Sequence, residues 1–199
     1  MSVAGRVRIQ NATVLSNDHY LLKKTSFDFQ RADGTWQNQT RETYDRGDGA
    51  TILLYNRPNC TVILTRQFRF PAFVGGYDDL MIEAPAGLLD MSSPEERIKM
   101  EAEEETGFRV NCVRKVFEAF MSPGAVTEKL HFFVAEYSPE DRISKGGGLA
   151  QEGEDIEVME TPIEEAVGMI AEGKIVDAKT IMLLQYAKLH IFQGKSGLD

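Results

Sequence analysis

The sequence predicts an α+β protein in which a small antiparallel β unit precedes a mixed sheet flanked by helices. Three observations support this class. Alternating β-rich segments fill the first quarter of the chain, strands and helices then follow one another, and a strong helix signal lies near the middle. We place the boundary at the glycine-containing loop 46–49, so that residues 1–48 form the first domain and residues 49–199 the second.

The first domain has the pattern of a β-hairpin preceded by a further strand. A first strand is expected around residues 7–9. Residues 20–31 and 35–45 alternate between apolar and polar side chains, and Asp33-Gly34 lies between them. An Asp-Gly pair between two alternating segments is a strong hairpin signal. The first domain is therefore predicted to be a small antiparallel sheet.

The second domain contains apolar, β-rich segments bounded by turn residues. Strands are predicted over 51–55, 61–68, 80–83, 112–121, 130–137 and 156–160. A loop rich in glycine and aromatic residues is expected over 71–79. A longer loop over 138–153 contains the run Gly146-Gly147-Gly148. Because such a run permits mobility, this loop is a candidate lid, and a plain surface insertion is the alternative.

Two helices are predicted near the C-terminus, over 161–172 and from 179 to about 192. Asp177 is a suitable N-cap for the last helix, because its carboxylate can accept hydrogen bonds from the first free backbone N–H groups. The side chains expected on the buried face of this helix are Ile181, Leu184 and Ile191.

The strongest helix signal lies within the segment 87–108. Ser93 is a good N-cap, Pro94 suits the first helical position, and Glu96 completes a capping box three residues after Ser93. Gly107 is the natural stop, since glycine readily adopts the left-handed conformation that ends a helix. We therefore predict a helix between Ser93 and Gly107.

This helix carries acidic residues at helical spacing. At about 100° per residue, Glu101, Glu104 and Glu105 fall on one side of the helix. Ile98 and Ala102 form an adjoining stripe that can pack on a core. Two like charges about 5 Å apart repel by roughly 3 kcal/mol at an effective dielectric constant near 20. A partly buried face of this kind needs a proton or a cation, and oxygen ligands suit Mg²⁺. An exposed acidic helix is the alternative, and the spacing alone leaves both open.

Composition limits the classes of partner. The chain has 199 residues and a net charge of −9, so it has no basic surface of the kind that binds nucleic acid. The cysteines, Cys60 and Cys112, form no C-x-x-C motif and are expected to be free thiols in a reducing compartment. No segment has the length and apolarity of a membrane span or of a signal peptide, so a cytoplasmic location is the default expectation.

The run GLLD…EAEEETGF resembles the Nudix box, G-x5-E-x7-R-E-U-x-E-E-x-G-U, where U is a bulky apolar residue. Residues 101–108 match its second half. The first half departs: the box is one residue short, Ser93 replaces the first Glu, and Met100 replaces the Arg. Arg97 lies one turn before Glu101 on the same face, and we hypothesise that it replaces the missing Arg.

Pro123, sixteen residues after Gly107, is typical of the nucleoside-diphosphate-sugar branch of the Nudix hydrolases. Further runs that resemble this branch lie at 66–69, 83–87, 121–124, 127–128 and 152–156. The resemblance implies an α/β/α sandwich and Mg²⁺-dependent hydrolysis of a nucleotide sugar, with Mn²⁺ as a possible substitute. It is greater to the enzymes that act on GDP-mannose than to those that act on ADP-ribose. It also implies a homodimer with exchanged N-terminal strands. A nucleotide-sugar sensor that has lost catalysis is the alternative, favoured by Ser93 and Met100.

The resemblance also implies roles for individual residues. The metal ligands would be the backbone carbonyl of Ala86 and the carboxylates of Glu101, Glu105 and Glu154. Glu104 would hold metal or water, and Glu152 would be the general base. Substrate contacts would come from Tyr20, Thr40, Arg41, Glu42, Arg69, Gly87, Leu88, Glu128, Gly153 and Lys179. Thr40 and Gly153 depart from the resembled enzymes, which have Lys and Asp there, so base and sugar preference stay open.

Overall fold

A computed structural model describes residues 2–89 and 92–193, and the chain divides into two compact units. The first unit comprises Met1–Asp48 and Phe120–Lys129, and the second comprises Gly49–Ala119 and Leu130–Asp199. The assignment of separate domains to residues 1–48 and 49–199 stays a prediction.

The first unit contains a three-stranded antiparallel sheet in the order β1 (Val7–Asn17), β2 (Leu21–Gln30) and β3 (Trp36–Asp45). The hairpin around Asp33-Gly34 forms as predicted. The first strand is much longer than the expected residues 7–9. Two register shifts, between Ile9 and Asn11 and between Val14 and Ser16, interrupt its pairing with β2. Such irregularities break the two-residue alternation by which a strand is recognised in a sequence.

The second unit contains a seven-stranded mixed sheet within the described residues. Its strands are β4 (Gly49–Asn56), β5 (Thr61–Gln67), β6 (Met81–Glu83), β7 (Ala86–Leu88), β8 (Arg114–Phe120), β9 (Lys129–Glu136) and β10 (Glu157–Pro162). The main order is β10-β5-β4-β9-β8, with β6 paired to β5 and β7 paired to β4. The β4–β9 pair is parallel, whereas β5 is antiparallel to both β4 and β10. The predicted α+β class with a mixed sheet after a small antiparallel sheet is confirmed.

Helices cover both faces of the central strand β4. The α-helices of the described residues are α1 (Phe70–Val74), α2 (Pro94–Thr106), α3 (Ile163–Ala171) and α4 (Ala178–His190), of which α2 and α4 pack on β4. Single-turn 3-10 helices span Ala4–Arg6, Pro139–Asp141 and Ala150–Glu152. Every residue of β4 is buried. Ile52 packs in one cluster with Ile98 of α2, while Tyr55, on the opposite face, contacts the ring of Phe192 just after α4. Because successive side chains of β4 point to opposite faces of the sheet, this one strand contributes to the core on both sides.

The helix α2 has the ends that the sequence predicts. Ser93 accepts a hydrogen bond from the backbone of Glu96 and the reciprocal capping-box bond is present. Gly107 ends the helix in the left-handed conformation, with φ 77°. These are local signals, and the helix boundary follows directly from them.

Two predictions were wrong in the second unit. The expected loop over 71–79 begins inside α1, because Pro71 lies in the first turn, where its fixed φ favours a helix. Ile181 was placed on the buried face of α4 but is only half-buried. Leu184 and Ile191 are buried as expected, and the other buried residues of α4 are Thr180, Leu183 and Ala187.

Two further predictions concerned the cysteines and membrane-spanning segments. Cys60 and Cys112 are both free thiols, as predicted. Within residues 2–89 and 92–193, every helix is too short or too polar to serve as a membrane span.

Candidate active site

The acidic face of α2 points into the protein. Glu101 and Glu105, one helical turn apart, are only 6% and 2% exposed, and Glu104 is half-buried. Ile98 and Ala102 of the same helix are fully buried in the core. Burial of Glu101 and Glu105 excludes the alternative of an exposed acidic helix. Carboxylates removed from water in this way require a compensating proton, cation or hydrogen-bond donor.

One oxygen of the Glu105 carboxylate has no hydrogen-bond donor within the described residues. Its Oε2 atom is buried and has no hydrogen-bond partner there. Burial raises the pKa of Glu105 well above 4.5, and the nearby carboxylates of Glu101, Glu154 and Glu83 raise it further, while Arg69 opposes the shift. The shift indicates that acidic groups from several elements lie close to Glu105.

Glu101 is compensated by Arg97. The Arg97 guanidinium forms an ion pair with the Glu101 carboxylate one turn away, as its position on the same helix face requires. Burial raises the pKa of Glu101, Arg97 opposes that shift, and Glu104 and Glu154 add to it. Arg97 therefore occupies the bracing position that the sequence comparison assigned to it.

Glu154 reaches this cluster from the loop before β10. Its Oε2 atom accepts a hydrogen bond from the backbone N–H of Leu149 at 2.8 Å. A Cβ at Gly148 would lie 2.9 Å from the Cβ of Glu154, and Gly148 has a φ of +74°. Only glycine combines this close approach with a left-handed conformation. Gly148 therefore makes room for the Glu154 side chain.

The run Gly146-Gly147-Gly148 is attached to the end of α2. The N–H groups of Gly147 and Gly148 donate to the carbonyls of Glu105 and Glu104, at 2.9 and 3.1 Å. The N–H of Ile156 donates to the Gly147 carbonyl at 3.2 Å. These hydrogen bonds satisfy two of the free carbonyls at the end of the helix. The role of the loop as a mobile lid stays a prediction.

The short strand β7 lies directly against Glu101. Ala86, Gly87 and Leu88 pair with β4, and a Cβ at Gly87 would lie 2.6 Å from the Cγ of Glu101. The absence of a side chain at Gly87 allows this backbone to approach the carboxylate. The backbone carrying the predicted Ala86 carbonyl ligand is thus adjacent to one of the predicted metal-binding carboxylates.

Two basic side chains bind one carboxylate beside this cluster. Glu83, at the end of β6, accepts hydrogen bonds from Arg69 Nε at 2.6 Å and from Lys179 Nζ at 2.5 Å. Lys179 Nζ also lies 3.0 Å from the Oδ2 of Asp177, the N-cap of α4. Arg69 and Lys179, which the resemblance assigns to substrate binding, therefore share the buried carboxylate of Glu83.

Comparison with known proteins identifies the family of the chain. Residues 6–44 match the family described as GDP-mannose pyrophosphatase NudK N-terminal domain. The chain is 54% identical over 187 residues to the GDP-mannose pyrophosphatase of Yersinia enterocolitica, covering 92% of this chain and 97% of the relative. It is 56% identical over 182 residues to that of Pectobacterium atrosepticum, covering 91% and 93%. It belongs to the GDP-mannose pyrophosphatase family of Nudix hydrolases. The enzymes of Yersinia pestis and Yersinia pseudotuberculosis are 52% identical over 189 residues.

The residues of this family member that were expected to contact substrate fall in both units. In the first unit, the Arg46 guanidinium lies 5.8 Å from the ring centroid of Tyr20 and its Nε lies 3.6 Å from Glu128, so these two predicted contacts are brought together. Residues 40–42 lie farther along β3, where they pair with residues 24–26 of β2. Their proposed roles stay predictions.

The predicted general base is described only in its backbone. Glu152 ends the 3-10 turn Ala150–Glu152, and Gly153 follows with a φ of +78°. The side chain of Glu152 lies outside the described part of the structure, so its role in this family member stays a prediction.

The sequence analysis gave no role to Glu83, although the residue stands four positions before Gly87 in the run 83–87. The available signal was a lone carboxylate in an otherwise apolar strand, which indicates a buried ion pair.

The donor set fits a hard divalent cation. In the part of the chain that the structure describes, no group of three or more His, Cys, Asp or Glu side chains forms a ready cation site. The buried Oε2 of Glu105 nevertheless has no hydrogen-bond partner among the described residues, and the charges of Glu101 and Glu154 raise the pKa of this carboxyl while Arg69 opposes the rise.

Proposed function

We propose that this chain hydrolyses the pyrophosphate bond of GDP-mannose, giving GMP and mannose 1-phosphate, with Mg²⁺ as the metal. The observation that supports this best is the buried Glu105 carboxylate, whose Oε2 atom has no hydrogen-bond partner within the described residues and which interacts with the charges of further carboxylates. Relatives that match the chain over nearly its whole length carry the name GDP-mannose pyrophosphatase.

Charge supports metal dependence. The acidic groups at the site are Glu101, Glu104, Glu105 and Glu154, and Arg97 neutralises only one of them. An anionic diphosphate would be repelled from this surface unless cations intervened. The ligands would be the three carboxylates of Glu101, Glu105 and Glu154 and the carbonyl of Ala86. Bound Mg²⁺ would neutralise phosphate charge and polarise the phosphorus.

The chain's own residues would perform three further tasks. Arg69 would hold phosphate oxygens through its outer nitrogens, since only its Nε is used by Glu83 among the described residues. Lys179 would add positive charge beside it. Glu152 would take the proton of the attacking water, and Glu104 would hold that water or a metal. The bond from phosphorus to the bridging oxygen breaks, and the leaving group departs as a phosphate monoester.

Substrate preference and turnover are tested together by a nucleotide-sugar panel. GDP-mannose, ADP-ribose and UDP-glucose are each incubated with the full-length chain and Mg²⁺, and products are followed by phosphorus NMR. We expect GMP and mannose 1-phosphate to appear fastest. Faster hydrolysis of ADP-ribose would show that the chain prefers ADP-ribose, the alternative substrate, to GDP-mannose. Saturable binding of GDP-mannose without bond cleavage would identify a sensor and overturn the proposal.

A homodimer formed through the first unit is also proposed. All residues of β1 are exposed, including the apolar Ile9, Val14 and Leu15, and one edge of β1 is unpaired within the described residues. Long exposed strands with apolar side chains tend to be covered by another chain. Light scattering after gel filtration should give twice the chain mass of 22.3 kDa. Ile9→Lys should shift the mass toward one chain, and a monomeric wild type would contradict the proposal.

A further inference from the structure

Glu83 is held rigidly by its backbone. At the end of β6 its carbonyl accepts a hydrogen bond from Thr65 Oγ1 at 3.2 Å, and the next N–H, of Ala84, donates to Thr180 Oγ1 at 2.6 Å. β5 and α4 therefore fix this segment from two sides. The Glu83 side chain is only 5% exposed. A carboxylate so fixed and so buried can set the position of whatever cation it binds.

Arg69 is bound to Glu83, and Glu105 is a second acidic group whose charge acts on it. The Arg69 guanidinium bonds to Glu83 through Nε, and its pKa is raised by the charges of Glu83, Glu105 and Asp177 against the opposing effect of burial. Arg69 therefore lies within electrostatic reach of the Glu105 carboxylate, whose Oε2 has no partner among the described residues. An unpaired buried carboxylate attracts the nearest mobile cation strongly, because the local dielectric constant is low.

We propose that Glu83 is a positioning residue that holds Arg69 away from Glu105, so that the Glu105 carboxylate remains available to a divalent cation. The proposal deepens the function proposed above and depends on a cation binding at Glu105. Glu83 keeps the outer nitrogens of Arg69 directed at the substrate phosphates. It also holds Lys179, whose other partner, Asp177, lies 3.0 Å away.

Glu83→Gln separates this role from simple packing. The side-chain shape is retained, and the amide oxygen can still accept a hydrogen bond from Lys179. The charge that holds Arg69 is lost, so Arg69 should move toward Glu105 and occupy the carboxylate in place of the metal. Removing Arg69 as well should then free Glu105 again.

The test is Mn²⁺ binding to the metal-free full-length chain, followed by electron paramagnetic resonance without substrate. Glu83→Gln should weaken Mn²⁺ binding at least about fivefold. The double variant Glu83→Gln/Arg69→Ala should recover most of the wild-type affinity. Glu157→Gln is the matched control, since Glu157 forms an exposed pair with Arg66 on the same sheet, Arg66 Nε to Glu157 Oε2 at 2.9 Å. It should leave Mn²⁺ affinity unchanged.

Each contrary outcome overturns the proposal. Unchanged affinity in Glu83→Gln would show that Arg69 does not move to Glu105. Equally weak binding in the single and double variants, with lowered melting temperatures, would assign Glu83 a purely structural role. A wild type that binds no Mn²⁺ would also overturn it. Hydrolysis of GDP-mannose by the wild type is measured separately, so failure of the inference is distinguished from failure of the proposed activity.

Discussion

Arg97 forms an ion pair with the buried carboxylate of Glu101 one helical turn away. In the Nudix pattern an arginine directly precedes the glutamate that corresponds to Glu101, and Met100 occupies that position here. Burial raises the pKa of Glu101, and Arg97 opposes that rise and so favours the ionised form of the carboxyl. The hypothesis that Arg97 compensates for Met100 in the motif stays a prediction, and the ion pair supports it.

Arg97→Ala should weaken Mn²⁺ binding about tenfold, the usual lower range for residues that orient metal ligands. Loss of the ion pair leaves Glu101 both less oriented and more readily protonated, and a protonated carboxyl is a poor ligand. Arg97→Lys keeps the charge but loses the planar fork and should recover only part of the affinity. Lys99→Ala is the control, because Lys99 pairs with Glu95, at 3.2 Å, and both lie at or near the helix surface. Unchanged affinity in Arg97→Ala would refute the compensation.

Glu105→Gln should lower kcat for GDP-mannose about 100-fold or more, because an essential charged ligand becomes neutral. The matched control is Glu103→Gln on the same helix. Glu103 is partly exposed and pairs at the surface with Arg109, at 3.2 Å. Steady-state kinetics of both variants with Mg²⁺ provide the measurement. Wild-type turnover in Glu105→Gln would remove the basis for the proposed site.

The features that could be predicted from the sequence are local ones. The helix α2 was predictable because Ser93, Pro94 and Gly107 determine its ends within a few residues of the chain. Its acidic side was predictable because helical periodicity places Glu101, Glu104 and Glu105 together. The hairpin was likewise marked by Asp33-Gly34 between two alternating segments.

The remaining features depend on contacts between distant parts of the chain. Glu83 and Lys179 are far apart in sequence, and no periodic pattern connects them. The run Gly146-Gly147-Gly148 has the composition of a flexible linker, yet its N–H groups are used by carbonyls at the end of α2. Local propensity indicates which conformations a segment can adopt, whereas contacts with distant residues determine its structural role.

The stabilisation that protonated Glu105 gives the metal-free chain should be lost as pH rises above about 4.5. In the folded state burial and neighbouring carboxylates raise the pKa of Glu105 well above its ordinary value of 4.5, so the folded chain binds this proton more tightly than the unfolded chain. The resulting stabilisation is complete below 4.5 and is lost as pH rises through the folded-state pKa. Melting temperature in EDTA, measured against pH, should show this decline.

Glu105→Gln should flatten that decline and raise the melting temperature at neutral pH, because the neutral amide needs no counter-charge. Comparison with Glu103→Gln cancels contributions from other carboxyls, such as Glu96, whose pKa is lowered by hydrogen bonds from Ser93. Adding Mg²⁺ to the wild type should restore stability at neutral pH by mass action. Identical pH profiles for the two variants would show that Glu105 does not carry the effect.

Gly148→Ala should reduce activity more than stability. The added methyl group would overlap the Glu154 side chain, with 2.9 Å between the two Cβ atoms, and would displace Glu154 from the acidic cluster. Gly173→Ala is a matched control, since Gly173 has a similar φ of +72° but open space around its Cβ position. Both variants should lose about 1–2 kcal/mol of stability from left-handed strain. Only Gly148→Ala should lower kcat and Mn²⁺ affinity, about tenfold. Equal kinetic losses in both variants would reduce the role of Gly148 to backbone strain alone.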